Sequence, residues 1–171
     1  GDTTHVIAGP ERVGLVGRNG AGKTLLLERL LGRLRPDAVA GDAGAVRPRL
    51  LTDRVGYLPQ RPGLDAAASA LDHVAAGAPA VTPGELRNRL ARFNLRGDNV
   101  FRPIGTLSGG EQFRVALAAL LLADPPAQLL VLDEPTNNLD LSTVAVLVDA
   151  LASYRGGLLV VSHDDDFHER L

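Results

Sequence analysis

The residues best suited to chemistry lie in one glycine-rich segment, 17–24, which reads Gly-Arg-Asn-Gly-Ala-Gly-Lys-Thr. The segment fits the pattern G-x-x-x-x-G-K-[ST] and lies between a short apolar run and a helical pattern. Because glycine permits tight turns, the backbone N–H groups of such a loop can converge on an anion, and the positive end of the following helix adds to the attraction. The residues predicted to bind phosphate are Gly17, Asn19, Gly20, Ala21, Gly22, Lys23 and Thr24.

The composition singles out Lys23, which is the only lysine among 18 basic residues, all the others being arginine. An ammonium group fits inside a ring of backbone amides, whereas the planar guanidinium fork is poorly shaped for that space. We expect Lys23 to contact the β- and γ-phosphates of a nucleotide and the Thr24 hydroxyl to bind Mg²⁺. A glycine-rich turn without a ligand is the alternative, which the motif in this context disfavours.

Two adjacent carboxylates, Asp133 and Glu134, follow the apolar run 129–132, which is typical of a strand buried on both faces. Mg²⁺ prefers hard oxygen ligands, and a water molecule that attacks phosphorus needs a base. Asp133 is therefore predicted to bind the metal and Glu134 to act as the base. The alternative is two solvated acids at a strand end, which the neighbouring phosphate-binding motif makes less favoured.

A second possible anion site lies at 107–112, which reads Leu-Ser-Gly-Gly-Glu-Gln and directly precedes an Ala- and Leu-rich helical pattern. Ser108 is a good N-cap residue, and a Ser-Gly-Gly segment at a helix start can bind an anion. The chain already has one phosphate site. The segment by itself therefore leaves two interpretations open, helix capping alone or capping together with anion binding.

The elements that position these motifs alternate between apolar, β-branched runs and longer helical patterns. This alternation is typical of an α/β fold with a mostly parallel sheet and flanking helices. The predicted strands are 12–16, 55–58, 129–132 and 158–162. The predicted helices are 23–34, 64–76, 83–93, 109–123 and 141–154. Since each polar motif follows a strand, we expect the site at the carboxyl ends of the strands, and 37–49 to form loops or a small irregular sheet.

The length and composition limit the number of domains and the kinds of partner that we expect for the protein. A chain of 171 residues with 45% apolar content can bury one core, so we expect a single domain spanning 1–171. A net charge of -2 gives no reason to expect DNA binding, and the lack of cysteine excludes disulfides. No signal-peptide pattern or membrane-length apolar run is evident, so a cytoplasmic location is expected. Because the chain contains no methionine, we expect a piece of a longer polypeptide.

The order of the motifs along the chain resembles that of the ATP-binding cassette (ABC) family, whose members are P-loop NTPases with a RecA-like fold. The further motifs that carry this resemblance are Gln60 after Tyr-Leu-Pro, Asn-Leu-Asp ending at Asp140, and Ser-His-Asp around His163. The resemblance implies binding and hydrolysis of MgATP, with Gln60 at the metal and the attacking water and His163 at the γ-phosphate. It also implies a helical subdomain at about 62–106, inserted between Gln60 and the Ser-Gly-Gly segment.

The same resemblance implies that two cassettes pair head to tail, with Asp140 coupling their two nucleotide sites. The segment of one cassette that closes over the ATP of the other comprises Ser108, Gly109, Gly110 and Glu111. In such a pair the second anion site has a ligand, because it meets the triphosphate held by the partner. A single cassette is therefore expected to be weakly active or inactive alone.

The segments 134–140 and 162–167 are similar to those of the F subfamily of ABC proteins, which act on ribosomes as translation factors or antibiotic-resistance proteins. Asn138 stands where that subfamily usually has histidine, and Asp165 where it usually has a basic residue. The resemblance leaves two alternatives open: the ATP-hydrolysing subunit of a membrane transporter, or a module that dimerises on ATP without useful turnover. If the F-subfamily role holds, ribosomal RNA is an expected partner.

Two further expectations concern ligand contacts. ABC cassettes usually stack adenine on an aromatic residue upstream of the phosphate loop, but positions 1–16 contain none, so this chain is predicted to bind ATP weakly. In the helical pattern 83–93 the apolar residues share one face, and Arg89, Arg92 and Arg96 gather on the other. This arginine face is either simply solvated or a contact for ribosomal RNA. The acidic residues Asp165 and Asp166, after the last predicted strand, are expected to lie in a solvated turn.

Overall fold

One parallel sheet forms the centre of the computed structural model, which describes residues 5–17, 22–32 and 48–171. The strands found in these ranges are β1 (Arg12–Leu15), β2 (Val55–Leu58), β3 (Leu129–Asp133) and β4 (Gly157–Val161), and they lie in the order β1-β4-β3-β2. All three pairings are parallel. The predicted α/β fold with a mostly parallel sheet is confirmed, and the strands start and end within one residue of their predicted bounds.

Helices flank this sheet. In the described part of the chain they are α1 (Lys23–Leu30), α2 (Ala70–Gly77), α3 (Pro83–Leu90), α4 (Gly109–Leu121), α5 (Leu141–Ala152) and α6 (Asp165–Glu169). Short 3₁₀ helices connect α3 to α4, at Ala91–Phe93, Gly97–Phe101 and Ile104–Thr106. The end of the predicted helix 23–34 and most of the predicted loop segment 37–49 lie outside the described residues. None of the described helices combines the length and apolarity that a membrane span needs.

The prediction of a helix over 64–76 is wrong at its start, because α2 begins only at Ala70. The carbonyl groups of Ala66 and Ala68 accept hydrogen bonds from Gly105 and Ile104, so they are unavailable for a helical turn. Ser69 then caps α2, since its side chain accepts a hydrogen bond from the N–H of Asp72. The segment before α2 is thus held by tertiary contacts that the local pattern does not contain.

The arginine face predicted for 83–93 is only partly formed on one helix. Thr82 caps α3 and a 3₁₀ turn extends it to Phe93, but Asn94 then adopts a left-handed conformation with φ 56° and ends the helical course. Arg96 follows this break, so it does not continue the helical face. The apolar side of the prediction is confirmed, because Leu86, Leu90 and Phe93 are buried.

The acidic segment after β4 was expected to be a turn, but it forms the short helix α6. The Asp164 side chain accepts a hydrogen bond from the N–H of Phe167 at 3.0 Å and caps this helix. Asp165 and Asp166 lie exposed in its first turn, where acids are favourable near the positive helix end. Burial of Phe167, which is 1% exposed, supplies the tertiary contact that a five-residue helix requires.

The larger hydrophobic core joins the central strands to the helices of both chain halves. It includes Val74 of α2, Leu90 of α3, Leu117 of α4 and Leu147 of α5, packed with Leu132 of β3. All described elements between 62 and 106 are helical. The assignment of that segment as a separate subdomain stays a prediction, and its helices share one core with α4 and α5.

Candidate nucleotide site

One edge of the sheet carries most of the residues predicted to do chemistry. Gly17 follows β1, Asp133 ends β3, and His163 follows β4. In the strand register, Leu15 and Asp133 both lie opposite Val161, so these three strand ends are level with one another. Ligands of open α/β sheets bind at this edge, beyond the carboxyl ends of the strands.

Lys23 is the first residue of α1, and its ammonium group lies between these strand ends. Its Nζ donates a hydrogen bond to the carbonyl oxygen of Gly17 at 2.6 Å and lies 3.0 Å from Nε2 of His163. The same Nε2 lies 3.1 Å from Oε1 of Glu134. The fold therefore collects the predicted phosphate-binding cation, the predicted base and the predicted γ-phosphate contact into one cluster.

His163 Nε2 lies between the Lys23 ammonium and the Glu134 carboxylate. Whether this nitrogen is protonated or not, its contact with one of the two groups is unfavourable. An unprotonated Nε2 accepts a hydrogen bond from Lys23 but has no hydrogen atom to donate to the Glu134 carboxylate. A protonated Nε2 donates to Glu134 but meets the Lys23 ammonium group with a hydrogen atom. A phosphate oxygen placed among these groups could accept a hydrogen bond from Lys23 and another from a protonated His163.

Glu134 is held in a strained backbone conformation. Its φ of 48° lies in the left-handed region, which non-glycine residues seldom occupy and which costs on the order of 1–3 kcal/mol. Its N–H donates to the carbonyl oxygen of Val161 at 2.7 Å, and the N–H of His163 donates to its carboxylate at 3.3 Å. Neighbouring strand ends thus fix both the backbone and the side chain of this glutamate.

Asp133 is a buried carboxylate, 6% exposed, at the end of β3. Burial raises the pKa of its carboxyl group and the nearby Glu134 raises this pKa further, while hydrogen bonds from Thr24 and Tyr57 lower it. The Tyr57 hydroxyl donates to Oδ2 at 3.5 Å. A buried carboxylate beside another acid is costly unless a cation compensates its charge.

The oxygen atoms at this point fit a magnesium ion that arrives with a nucleotide. The Thr24 hydroxyl and the Asp133 carboxylate are hydrogen-bonded, and both are hard oxygen donors. In the described ranges, no group of three or more His, Cys, Asp or Glu side chains could hold a metal. Mg²⁺ typically takes one or two protein oxygens and completes its shell with water and substrate phosphate oxygens. The donor set suits that arrangement rather than a metal held by the protein alone.

The remaining residues of the predicted phosphate site are placed only in part. Gln60 is exposed and lies beyond β2 at the same edge, since Leu58 pairs with Leu132 directly before Asp133. Gly22 has φ 85°, the left-handed conformation that glycine adopts without a Cβ penalty. The positions outside the described residues are Asn19, Gly20 and Ala21, and their phosphate contacts stay a prediction.

The second predicted anion site forms a complete capping box. The Ser108 hydroxyl accepts a hydrogen bond from the N–H of Glu111 at 3.3 Å, and the Glu111 carboxylate accepts from the Ser108 N–H at 2.8 Å. The Ser108 hydroxyl also donates to this carboxylate at 2.8 Å. The backbone N–H of Ser108, followed by its side chain, lowers the pKa of Glu111. The prediction that Ser108 caps α4 is confirmed, and the exposed Gly109 follows it.

Asp140, the predicted coupling residue, caps α5 and lies next to the start of α4. Its carboxylate accepts hydrogen bonds from Ser142 Oγ and from the N–H of Thr143, each at 2.7 Å. Arg114 of α4 donates to Thr143 Oγ1 at 2.9 Å. A Cβ added to Gly110 would lie 3.0 Å from that Oγ1, so glycine lets the two helix starts approach closely. The start of α5, which carries the predicted coupling residue, is therefore joined to α4, which begins at the segment predicted to close over the ATP of a partner cassette.

Sequence reasoning missed two residues of this arrangement, Tyr57 and Arg114. Arg114 lies three residues after Glu111 on the same helix, so helical spacing could have placed it beside the capping box. Tyr57 could have been found by strand alternation, which directs it to the same face of β2 as Val55. Its contact with Asp133 depends on the pairing of β2 with β3, which a single sequence does not give.

A lysine at the start of a helix, next to acids at the end of a neighbouring parallel strand, is typical of a nucleoside-triphosphate-binding domain of the P-loop class. A family model described as ABC transporter matches residues 4–137. The chain therefore belongs to the ABC family, and the predicted resemblance to its F subfamily is confirmed by the curated relatives.

ATP-binding cassette sub-family F member 3 of Mus musculus is 39% identical over 158 residues, which are 91% of this chain and 21% of that protein. A solved structure described as the ATP-binding subunit of an ABC transporter gives a TM-score of 0.74 at 26% identity, over 99% of this chain and 75% of that one. The structure of the archaeal ribosome recycling factor aABCE1, solved with the ribosomal stalk protein aP1, gives a TM-score of 0.69 at 28% identity. The match covers 96% of this chain and 31% of that one. The chain spans about a fifth of the length of the curated relatives it matches.

Proposed function

We propose that this chain binds MgATP and hydrolyses it to ADP and phosphate as one cassette of a head-to-tail ABC pair. The observation that carries the proposal is the cluster of Lys23, His163 and Glu134, in which His163 Nε2 lies 3.0 Å from the Lys23 ammonium and 3.1 Å from the Glu134 carboxylate. A γ-phosphate in this cluster would have a cation, a polar ring and a carboxylate around it.

In the proposed mechanism, Glu134 accepts a proton from the water that attacks the γ-phosphate in line with the leaving group. Lys23 binds the β- and γ-phosphate oxygens, and His163 donates to the γ-phosphate. Ser108 and Gly110 of the partner cassette add hydrogen-bond donors to the transferring group, so efficient turnover requires both halves. When bound to Thr24 and Asp133, Mg²⁺ would neutralise phosphate charge.

Gln60 and Asp140 have positioning roles in this proposal. Gln60, at the same edge as Asp133, would orient the attacking water and would bind the metal. Asp140 couples the two nucleotide sites, because Thr143 joins it to Arg114 of α4, the helix that Ser108 caps. Closing the pair onto one ATP would therefore shift the second site as well.

The biological role we propose is that of a cytoplasmic F-subfamily protein that acts on ribosomes, in translation or antibiotic resistance. The relative from Mus musculus supports the subfamily, and one similar structure is described as a ribosome recycling factor. The similarity to a subunit described as part of an ABC transporter keeps energising a membrane transporter as the alternative. Co-sedimentation of the full-length protein with ribosomes in ATP supports the first role, and co-purification with a membrane-spanning subunit supports the second.

The arginines at the end of α3 and just beyond it provide a finer test of the ribosome role. Arg92 and Arg96 are exposed, while Arg89 forms an ion pair with Glu85 at 2.5 Å. Neutralising Arg89, Arg92 and Arg96 together should weaken ribosome binding and flatten its dependence on salt, because fewer phosphate contacts would release fewer counterions. Unchanged binding at every salt concentration would reject RNA contact by this surface.

The decisive experiment replaces Glu134 with glutamine in the full-length protein. Loss of a general base should lower ATP turnover at least about 100-fold while ATP binding persists, and ATP-bound dimers should accumulate. Glu169→Gln makes the same chemical change at an exposed position of α6 and serves as the matched control. Unchanged turnover in Glu134→Gln would show that the base is assigned wrongly. Absence of turnover in the unmodified protein would favour the module that only dimerises.

A further inference from the structure

Phe101 is an exposed aromatic residue in a chain that buries its other phenylalanines. It is 50% exposed, whereas Phe93, Phe113 and Phe167 are 5%, 6% and 1% exposed. The other large hydrophobic side chains that are exposed in the described ranges are all valines or leucines. The guanidinium carbon of Arg87 lies 5.1 Å from the centre of its ring, within the range of a cation–π contact. The ring is therefore held by an arginine while half of its surface remains accessible.

The backbone that carries Phe101 is fixed on both sides. Val100 and Ile104 are each 1% exposed and anchor the segment in the core. Pro103 forms an isolated antiparallel bridge with Ser69 directly before α2. A side chain on such an anchored segment keeps its direction, so the exposure of Phe101 is not the result of a loose loop.

A chain of hydrogen bonds connects this segment to the start of α4. The guanidinium of Arg102 donates to Asn99 Oδ1 at 3.3 Å and to the carbonyl oxygen of Thr106 at 2.9 Å. The Asn99 amide donates to Glu111 Oε1 at 3.4 Å, and Glu111 closes the capping box with Ser108. The platform formed by Phe101 and Arg87 is thus attached to the segment that is proposed to face the ATP of the partner cassette.

We propose that Phe101 stacks on the adenine of the ATP that the partner cassette holds in its phosphate loop. The inference rests on the proposed head-to-tail pair, in which Ser108 contacts the triphosphate. Phe101 lies between Asn99 and Arg102, the residues that connect its segment to Glu111 and Thr106 on either side of Ser108. The recognised group is a purine base, which offers a large aromatic face to the ring, while the Arg87 guanidinium supports the ring from its own side. This assigns base recognition to the cassette that does not hold the phosphates.

The test uses the full-length protein with Phe101→Leu, which keeps an apolar side chain but has no aromatic face, and Phe101→Trp, which keeps one. Phe101→Leu should raise the KM for ATP about 5- to 100-fold, the range expected from the loss of one stacked base, with kcat changed much less. Phe101→Trp should keep the KM near that of the unmodified protein. The preference for ATP over CTP should fall in Phe101→Leu, because a pyrimidine has less surface to stack.

The ratio of ATP to CTP turnover does not depend on the fraction of folded enzyme, so it remains decisive even if a variant is less stable. Leu51→Ala shortens another exposed apolar side chain, before β2 and away from the site, and should leave this ratio unchanged. A Phe101→Leu protein with the KM and base preference of the unmodified protein would overturn the stacking inference and leave the proposed function intact. If Phe101→Leu kept the KM for ATP of the unmodified protein but lost ribosome binding, the result would overturn the stacking of Phe101 on adenine and favour its stacking on an RNA base. Absence of ATP turnover in the unmodified protein would reject the proposed hydrolysis, and an ATP affinity unchanged by Phe101→Leu would then overturn the stacking inference separately.

Discussion

The sheet edge around Lys23 and the start of α4 are both predicted to bind phosphate, but their internal contacts differ. At the sheet edge, His163 Nε2 cannot satisfy Lys23 and Glu134 together, Asp133 is buried beside another acid, and Glu134 has a strained backbone. At the start of α4, Ser108 and Glu111 each accept a hydrogen bond from the other, and the Asn99 amide also donates to the Glu111 carboxylate.

The difference shows how each region depends on a ligand. A bound anion and a metal ion would relieve the unfavourable contacts at the sheet edge. Removing the charged groups there should therefore harm nucleotide binding more than folding. The capping box at the start of α4 is formed without a ligand, so its residues should contribute to the stability of the fold. Because the Ser108 hydroxyl donates to Glu111, it must rotate away from this carboxylate before it can donate to a phosphate. Substitutions at four positions test this contrast, and their expected effects decrease in the order Lys23, Ser108, Asp133 and Glu111.

Replacement of Lys23 should have the largest effect. Lys23→Ala removes charge-assisted hydrogen bonds to phosphate, and ATP affinity should fall roughly 10- to 100-fold, as expected for such bonds. Lys23→Arg should not restore it, because the guanidinium fork is poorly shaped for a ring of amides. Equilibrium titration of the full-length protein with ATP measures both variants. Retained affinity and turnover in Lys23→Ala would contradict the assignment of the whole site.

Ser108→Ala should destabilise the folded protein, since it removes the N-cap of α4. Loss of such a cap costs about 0.5–2 kcal/mol of unfolding free energy. Denaturant unfolding monitored by circular dichroism measures the change. Ser153→Ala, which removes an exposed hydroxyl just after α5, serves as the control and should have a smaller effect. Equal effects of the two changes would show that the capping box does not stabilise α4.

Asp133→Asn should change stability in the opposite direction while it impairs turnover. The pKa of Asp133 is raised by burial, so its ionisation opposes folding above that pKa, and asparagine removes this cost. Without nucleotide the Tm should rise by about 2–4 °C, the shift that roughly 1 kcal/mol produces in a chain of this size. The gain should shrink as the pH falls through the raised pKa. Differential scanning calorimetry at neutral and acidic pH measures it, and a lower Tm at neutral pH would refute the buried-charge interpretation.

The smallest effect is the pH dependence of the capping box. The Ser108 N–H, and then the Ser108 side chain, lower the pKa of Glu111 in the folded state. The stabilisation is therefore fully present above the ordinary pKa of glutamate and is lost as the pH falls through the lowered value. The difference in unfolding free energy between the unmodified protein and Glu111→Gln should shrink across that acidic range. A difference that stays constant with pH would show that the carboxylate charge does not contribute.

Local sequence patterns were sufficient for much of the fold. The strand β2 was predicted at its observed bounds, and Ser108 was predicted as a cap, because alternation and capping depend on neighbours within a few residues. The start of α2 at Ala70 could not be predicted, because the carbonyl groups of Ala66 and Ala68 bond to a segment beyond position 100. Propensity gives way where tertiary hydrogen bonds compete with the helix.

The amino-acid sequence alone specified the chemical groups of the site: one ammonium group after a glycine-rich loop, two carboxylates after an apolar strand, and a capped Ser-Gly-Gly helix start. How these groups meet depends on the tertiary structure. Lys23 and His163 are separated by 140 positions, and Tyr57 and Asp133 by 76, so their contacts arise from strand order. The exposure of Phe101 is a tertiary property as well, because packing of the residues around it left its ring outside the core.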